Sequence, residues 1–251
     1  MNRIPHIIHY CWFGGKPLPE SAQKYIDSWK RYFPGWEIRR CDESNFDVNV
    51  CLYTRQAYEK GKYAFVSDYA RFKLLYDHGG VYFDTDVEVI ADFGDILSAG
   101  PFLGYETDPG TDDSPYGTVN PGLCMGAEQG MDFYRQMLEY YNSIAFLDEN
   151  GEQLPGTVVA HTTEVMRRNG LAPELSPQSV CGITIWPRCR FNPLDDATGL
   201  LKITPETRSI HWYAKTWTGM SSRRIAAARL LHRIFGIGFS QKLKKLLHLI
   251  Q

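Results

Sequence analysis

The sequence predicts an α/β fold that begins as a doubly wound sheet, and three observations support this prediction. The first 90 residues alternate as strand, helix, strand, helix, helix and strand. The composition, with 43% hydrophobic and 22% charged residues, is that of a soluble globular chain large enough for one well-packed domain. No internal repeat or low-complexity segment interrupts the alternation. Ligands of open α/β sheets bind at the carboxyl ends of the strands, so we expect the functional site there.

The first two strands flank an amphipathic helix. Residues 3–15 predict a strand that runs into a Gly-Gly loop, with Trp12 at its carboxyl end. Trp12 is either a core side chain or part of a ligand site, and the residues alone leave both interpretations open. Residues 19–33 space their apolar side chains as a helix does, and residues 36–39 form a second short strand. A polar loop and a helix over 42–61 lead into the next helix.

The segment 62–90 predicts a helix, a glycine stop and a strand that carries paired carboxylates. Residues 64–77 contain neither Gly nor Pro, and their aromatic side chains recur at helical spacing. Two glycines follow at positions 79 and 80, and they end the helix by tolerating a left-handed backbone. Asp68 and Arg71 lie three residues apart, so they share one face of this helix.

Paired carboxylates follow the glycines. The stretch from Val81 to Asp86 alternates as a strand does, which places Tyr82, Asp84 and Asp86 on one side. Two such carboxylates lie roughly 6–7 Å apart at the backbone, and they repel each other unless a cation lies between them. Mg²⁺ and Mn²⁺ prefer oxygen ligands and keep positions open for water and phosphates. Asp84 and Asp86 therefore predict a site for a metal-bound diphosphate, with a solvated turn as the alternative.

Residues 67–88, SDYARFKLLYDHGGVYFDTDVE, resemble the signature S-D-x-x-R-x-x-x-L-x-x-x-G-G-x-Y-x-D-x-D. This signature marks D-x-D sugar transferases of the GT-A fold, in the family that holds fungal initiating mannosyltransferases and bacterial capsular-polysaccharide transferases. The clostridial glucosylating toxins share it, and every defining position is present here. The resemblance implies a Rossmann-like mixed central sheet flanked by helices, Mn²⁺ or Mg²⁺ as cofactor, and a UDP-sugar or GDP-sugar as donor.

The resemblance also implies roles for individual residues and a reaction that retains the anomeric configuration. Asp84 and Asp86 would hold the metal against the diphosphate, and Arg71 would stabilise the charge on the leaving UDP or GDP. Asp68 would accept hydrogen bonds from the sugar hydroxyls. Trp12 stands where the family has an aromatic residue that stacks on the base, and it would form the wall of the nucleoside pocket together with Tyr82.

A second stretch of the chain resembles the same transferases. Residues 209–217, SIHWYAKTW, are similar to the A-I-H-x-x-x-x-S-W stretch that closes their site, with Thr in place of the family's Ser. The resemblance implies that His211 is a further metal or diphosphate contact and that Trp217 folds over the donor. A hydrogen-bonded core histidine is the alternative for His211, because histidine is a less natural ligand of Mg²⁺ than oxygen.

The middle of the chain continues the α/β pattern. Strands are predicted at 87–90, 101–106 and 120–126, and helices at 131–143 and 158–169. Between the second and third of these strands, a long loop over 107–122, rich in Asp, Gly, Pro and Thr, lines the acceptor side, forms a lid or is disordered.

The C-terminal region is distinct in charge. We expect a transferase domain over 1–220 and a helical extension over 221–251, with helices at 223–235 and 241–250. Nine basic residues and no acidic one follow Glu206 in a chain of net charge −2. Such basic amphipathic helices either lie on an anionic membrane or pack on the domain with a solvated basic face. No nucleic-acid-binding module accompanies the charge, so a nucleic acid partner is not expected.

The cysteines and the lack of targeting signals predict a cytoplasmic protein, which would be peripheral at the inner face of the membrane if the basic C-terminal helices lie on lipid. Six cysteines show no metal-binding spacing and are interpreted as buried fillers. No signal peptide and no apolar stretch of membrane-spanning length is evident in the sequence.

We expect a glycosyltransferase that acts on a glycan or lipid-linked saccharide acceptor in capsular or other surface polysaccharide synthesis. One alternative is an aspartyl-phosphate phosphatase, because Val81 to Val87 also resembles its D-x-D-x-[TV] strand, in which the first carboxylate is the nucleophile. That fold usually carries the motif on its first strand, whereas about eighty structured residues precede it here. The other alternative is a catalytically silent sugar-binding or membrane-binding module.

Overall fold

The first half of the protein contains the predicted elements in the predicted order. The structure is a computed structural model that describes residues 4–110, 114–174, 177–214 and 222–235. The elements that open the chain are β1 (Ile7–Cys11), α1 (Glu20–Tyr32), β2 (Glu37–Cys41), α2 (Leu52–Glu59), α3 (Tyr63–His78) and β3 (Gly80–Tyr82). The α/β fold class is therefore confirmed.

After β3, the described chain alternates short strands with helices. These elements are β4 (Val87–Val89), α4 (Gly94–Ser98), β5 (Phe102–Thr107), β6 (Thr118–Val119), β7 (Met125–Ala127), α5 (Asp132–Asn142), α6 (Val158–Arg168), β8 (Gln178–Val180), β9 (Ile183–Trp186), β10 (Ser209–His211) and α7 (Ser222–Phe235). The predicted strand at 101–106 and the three predicted helices that follow it are confirmed as β5, α5, α6 and α7. The helix predicted at 241–250 lies outside the described residues.

Eight strands form one mixed sheet in the order β2-β1-β3-β7-β5-β9-β8, with β6 paired to β5. Strands β2, β1 and β3 run parallel, as do β5 and β9. Strand β7 is antiparallel to both of its neighbours, β3 and β5, and β4 pairs with β10 in a separate antiparallel sheet. Because β1 and β3 are parallel neighbours, Trp12 and Asp84, which follow them, lie at the same edge of the sheet.

Helix α3 is fixed by aromatic packing. Tyr69 and Phe72 are buried, and the ring of Phe72 contacts the rings of Phe133, Tyr134 and Tyr141 on α5. Buried aromatic rings contribute large apolar areas and favourable ring geometries. This packing holds the rest of α3, including its polar residues, in a fixed position against the sheet.

Gly79 ends α3 and starts the turn into β3. Its φ is +63°, a left-handed value that glycine adopts at little cost. A Cβ at this position would also lie 2.9 Å from the carbonyl oxygen of Ala127, so the close approach of β7 requires glycine. His9 of β1 contacts the same turn, because its Nε2 lies 3.0 Å from the Gly79 carbonyl oxygen.

The prediction of one continuous strand over 81–90 is wrong. Strand β3 ends at Tyr82, and a turn follows in which the Val87 amide donates to the Asp84 carbonyl (3.1 Å). Strand β4 then pairs with β10, which is distant in sequence, so local alternation cannot reveal the change of sheet. Asp84 and Asp86 consequently belong to a turn and not to one face of a strand.

The strand predicted over 120–126 is also shorter than expected. Only its end is extended, as part of β7, because Asn120 begins a turn in which its Oδ1 accepts a hydrogen bond from the Gly122 amide (2.7 Å). The preceding loop contains β6, which pairs with β5. Its role in lining the acceptor side stays a prediction.

The six cysteines are all free thiols. Cys11, Cys41 and Cys124 are buried, which agrees with their interpretation as fillers, whereas the other three are half-buried. Within the part of the chain that the structure describes, no helix is both long and apolar enough to cross a bilayer.

Candidate active site

Two carboxylates and an imidazole converge at the turn after β3. The Nε2 atom of His211 lies 3.1 Å from Oδ1 of Asp86 and 3.9 Å from Oδ2 of Asp84. One donor atom from each of the three residues lies within 4.8 Å of the other two. No other group of at least three His, Cys, Asp or Glu residues is arranged in this way among the described residues.

The pairing of β4 with β10 explains why residues so distant in sequence meet. His211 lies opposite Val87 in this pair, next to the acidic turn. The Trp212 amide donates to the backbone carbonyl of Asp86 (2.9 Å), and the Ala214 amide donates to its Oδ2 (2.8 Å). Backbone and side chain of Asp86 are therefore both held by the segment that follows β10.

Electrostatics at this group favour a cation. Burial raises the pKa of Asp86, but the imidazole of His211 and the Ala214 amide lower it by more, so the pKa lies below its usual value. Burial lowers the pKa of His211, and the carboxylates of Asp86 and Asp84 raise it above its usual value. The two carboxylates thus stabilise positive charge between the three side chains, where a dication would bind.

The donor set fits Mn²⁺ or Mg²⁺. Carboxylate oxygens suit both ions, and an imidazole nitrogen is a ligand that Mn²⁺ also accepts. The side chains of Asp84 and Asp86 keep 28% and 17% of their surface exposed, so a ligand can approach from solvent. Gly122 completes the arrangement, because a Cβ at its position would overlap Oδ2 of Asp84.

A buried arginine links α3 to the acidic turn. Nη2 of Arg71 donates to Oδ1 of Asp68 at 3.0 Å and lies 3.4 Å from Oδ1 of Asp84. The hydroxyl of Tyr82 donates to the same Asp84 oxygen at 2.9 Å, and the Arg71 guanidinium lies over the Tyr82 ring. The Nη1 atom of Arg71 is buried and has no hydrogen-bond partner among the described residues.

Burial sets the protonation of this cluster. Burial raises the pKa of Asp68 to about 7, and the charge of Arg71 offsets only part of that increase. Burial lowers the pKa of Arg71, but the carboxylates of Asp84 and Asp68 raise it above its ordinary value, so the guanidinium stays charged. A fixed positive charge therefore lies directly behind the acidic turn.

The remaining predicted site residues lie at the same edge or outside the described residues. Trp12 follows β1 at the edge where Asp84 follows β3, and it is half-buried, with its Nε1 bonded to the Lys16 carbonyl (2.7 Å). Its stacking on a base stays a prediction. Trp217 lies outside the described residues.

Sequence reasoning missed a second polar network beside the candidate metal ligands. Glu106, in β5, accepts hydrogen bonds from the Tyr213 hydroxyl (3.0 Å) and the Asn120 side chain (3.3 Å). Tyr213 has a φ of +50°, and its ring packs edge-on against the His211 imidazole at 4.2 Å. The only sequence signal for this network was the Asn-Pro-Gly segment at 120–122. Its residue types predict a turn, but they do not predict that the turn lies beside the carboxylates.

Comparison with known proteins places the chain in a family. Residues 1–149 match the family model described as capsular polysaccharide synthesis protein. The chain belongs to the capsular polysaccharide synthesis protein family. The matched residues contain Asp68, Arg71, Tyr82 and both carboxylates of the acidic turn, and they end before β10. The family match therefore covers one side of the candidate active site, whereas the imidazole comes from the remainder of the chain.

Two curated proteins are similar to this member of the capsular polysaccharide synthesis protein family. An uncharacterized glycosyltransferase, L373, of Acanthamoeba polyphaga mimivirus is 33% identical over 110 residues, which cover 40% of this chain and 42% of that protein. Inositol phosphoceramide mannosyltransferase 1 of Schizosaccharomyces pombe is 29% identical over 120 residues, which cover 43% of this chain and 36% of that protein. The similarity thus spans less than half the length of these relatives.

Solved structures with a similar course of the chain include two transferases. The PaToxG glycosyltransferase aligns with a TM-score of 0.46 and 17% identity, over 66% of this chain and 69% of that chain. The galactosyltransferase LgtC, solved with donor and acceptor sugar analogues, aligns with a TM-score of 0.45 and 14% identity, over 89% of this chain and 95% of that chain.

Proposed function

We propose that this protein is a metal-dependent glycosyltransferase that moves a sugar from a nucleoside-diphosphate sugar to a glycan or lipid-linked saccharide. The observation that carries the proposal is the convergence of Asp84, Asp86 and His211, with donor atoms within 4.8 Å of one another, next to a buried arginine. Its family membership and the names of two partial relatives, both glycosyltransferases, support the same reaction class.

Asp84, Asp86 and His211 would hold Mn²⁺ or Mg²⁺. The bound ion would supply positive charge that neutralises the diphosphate as it leaves. The amide of Ala214 fixes one Asp86 oxygen, which leaves the oxygen that faces His211 for the metal. Hydrogen bonds orient both carboxylates, and the Tyr213 ring packs against the imidazole, so the set is arranged before the donor arrives.

Arg71 would act on the leaving group together with the metal site. Its Nη2 is occupied by Asp68 and Asp84, while its Nη1 is a buried donor without a partner among the described residues. A diphosphate oxygen is a suitable acceptor for this N–H, and a charge-assisted bond in a buried setting is strong. Asp68 would hold the guanidinium and accept hydrogen bonds from the donor sugar, which orients the anomeric carbon.

Donor and acceptor follow from the resemblance and the family description. Trp12 would stack on the base of UDP or GDP, Trp217 would fold over the donor, and transfer would retain the anomeric configuration. Tyr82 is buried with its hydroxyl bonded to Asp84, so it would hold the acidic turn and not line the nucleoside pocket. A saccharide of the capsule or its lipid-linked precursor would be the acceptor. No described contact favours an aspartyl-phosphate phosphatase, since Oδ1 of Asp84 is already bonded to Tyr82 and lies beside Arg71.

The test is metal-dependent hydrolysis across a panel of UDP-sugars and GDP-sugars. Asp84→Ala and Asp86→Ala should each lower turnover by about a hundredfold or more, because the diphosphate would lose its metal. Glu59→Ala, which removes an exposed carboxylate at the end of α2, is the matched control and should keep wild-type turnover.

Two outcomes would contradict the proposal. One is wild-type turnover by the two aspartate variants, or undiminished turnover by the wild type in excess chelator, with thermal unfolding unchanged. The other is release of phosphate from a generic phosphomonoester in an Asp84-dependent reaction, which would assign the turn to a phosphatase.

A further inference from the structure

Exposed apolar side chains are concentrated at two segments near the end of the described chain. Of the nine large hydrophobic residues that are exposed among the described residues, six lie there. We call these six side chains the leucine patch: Leu200, Leu201, Ile203, Leu230, Leu231 and Ile234. Isolated exposed apolar residues are ordinary, but a cluster indicates a surface that binds something.

Helix α7 is attached to the protein by its basic side chains. Arg229 donates to the Asp196 carbonyl (3.1 Å) and pairs with its carboxylate. His232 contacts the Ala197 carbonyl at 2.8 Å, and Arg233 donates to the carbonyls at positions 198 and 199. The basic side of α7 therefore packs on the body of the protein, which differs from the predicted packed helix with a solvated basic face.

This attachment leaves the apolar side of α7 facing solvent. At 100° per residue, Arg229, His232 and Arg233 lie on one side of the helix, and Leu230, Leu231 and Ile234 lie on the other. The exposed fractions agree, because the three apolar side chains are 56%, 50% and 61% exposed while Ile225, on the attached side, is buried. The basic side chains of α7 therefore face the body of the protein, and its apolar side chains face solvent.

The two segments of the leucine patch adjoin the same contact. Leu200 directly follows Gly199, whose carbonyl accepts a hydrogen bond from Arg233. A Cβ on Gly199 would lie 2.7 Å from Cδ of Arg229, so the loop and the helix touch here. The exposed side chains of 200–203 and of α7 therefore border one junction.

The charged side chains around the leucine patch indicate what kind of partner binds there. Lys202 lies within the loop segment and Arg224 near the start of α7, and both are exposed. No acidic residue follows Glu206 in the sequence, whereas nine basic ones do. The acidic side chains beside the loop, Asp195, Asp196 and Glu206, are each paired with an arginine. A second copy of the same surface would therefore bring exposed positive charges together, which opposes a symmetric dimer. An anionic lipid surface offers both an apolar interior and negative head groups.

We propose that the leucine patch inserts into an anionic lipid bilayer, with α7 lying in the plane of the interface. Arg229, His232 and Arg233 keep the helix attached to the body, and exposed cations at the edge contact the lipid phosphates. Nη2 of Arg229 also lies 3.5 Å from the carbonyl of Trp212, the residue after His211. The membrane-facing helix therefore contacts the same segment that supplies the imidazole of the candidate active site.

The experiment is vesicle co-sedimentation of the full chain, without donor or metal. Phosphatidylcholine vesicles with and without phosphatidylglycerol are compared for the wild type and the triple variant Leu230→Ser, Leu231→Ser and Ile234→Ser. A second variant, Leu200→Ser with Ile203→Ser, tests the loop. Both should lose about tenfold or more in partitioning to the anionic vesicles, because insertion depends on buried apolar area.

The control removes the same kind of side chain elsewhere. Val50→Ser, Leu52→Ser and Leu154→Ser replace the other three exposed apolar residues and should leave partitioning unchanged. Unchanged thermal unfolding of the patch variants would establish that they fold. The assay uses no substrate, so its result is independent of whether the transferase proposal holds.

Three results would overturn the proposal. The first is a wild type that fails to bind anionic vesicles or binds neutral vesicles equally well. The second is binding of the patch variants at the wild-type level, which would leave charge alone as the cause. The third is a patch variant that keeps vesicle binding but is a monomer where the wild type is an oligomer, which would assign the surface to a second copy of the chain.

Discussion

Glu106 and Tyr213 connect the two sides of the candidate active site through one hydrogen bond. Glu106 lies on β5, and Tyr213 lies two residues after the candidate ligand His211, with a left-handed backbone that the surrounding contacts maintain. The Tyr213 ring packs on the imidazole, so its position and that of the ligand are coupled. We expect Glu106 and Tyr213 to be positioning residues, because Glu106 holds the Tyr213 hydroxyl and the Tyr213 ring packs against the candidate ligand His211.

The change Tyr213→Phe should weaken Mn²⁺ binding by about tenfold, since partners that orient a ligand contribute to metal affinity. The ring stays, so thermal unfolding should change little. Tyr105→Phe is the matched control, because its hydroxyl accepts a hydrogen bond from the Gln178 side chain and, among the described residues, makes no hydrogen bond with the candidate metal ligands. The Mn²⁺ dependence of turnover distinguishes a positioning role of Tyr213 from a catalytic role. The Mn²⁺ concentration that gives half-maximal turnover should rise, while turnover at saturating Mn²⁺ should equal that of the wild type. Wild-type metal dependence in Tyr213→Phe would remove Tyr213 from the site.

At the scale of elements, β1 and α3 are joined by a buried histidine. Nε2 of His9 lies at hydrogen-bond distance from the Gly79 carbonyl, and its Nδ1 is buried without a partner among the described residues. Burial lowers the pKa of His9 to about 4 from 6.5. The folded state thus binds this proton more weakly than the unfolded state does.

The sign of the resulting pH dependence follows from linkage. The contribution of neutral His9 to the free energy of unfolding is fully present above pH 6.5. It is lost as the pH falls toward 4, which lowers the free energy of unfolding by about 3 kcal/mol. His9→Gln should reduce that acid dependence, whereas His6→Gln, an exposed control, should not. Urea unfolding between pH 7 and pH 4 measures the difference. An acid dependence as steep in His9→Gln as in the wild type would contradict the assignment.

The elements also show what the sequence could and could not predict. Helix α3 and the residues from Asp68 to Asp84 were predictable, because helical spacing, a glycine stop and a local signature all lie within one short segment. The partner of β4 was not, since the alternation after Tyr82 is the same whether the strand continues in the central sheet or joins β10. His211 was predicted as a site residue only from the resemblance to a family. Glu106 was predicted neither from the local pattern nor from the resemblance, because its contacts arise from tertiary pairing.

At the scale of the whole molecule, three regions contribute to one edge of the fold. The parallel strands β1 and β3 deliver Trp12 and the acidic turn, and the mixed half of the sheet contributes Glu106. The small sheet of β4 and β10 adds His211, and α7 touches the segment beyond it. The surface that we propose to face a membrane therefore adjoins the proposed transfer site, an arrangement that would suit the proposed lipid-linked acceptor.

The most direct test of the central claim is a titration of the apoprotein with Mn²⁺, with the free ion followed by its paramagnetic resonance signal. The account predicts that the wild type binds a single Mn²⁺ and that Asp84→Asn, Asp86→Asn and His211→Ala each weaken this binding by about tenfold or more. Asp47→Asn, an exposed acid remote from the turn in sequence, should bind as the wild type does. Folded variants that bind Mn²⁺ with undiminished affinity would contradict the account.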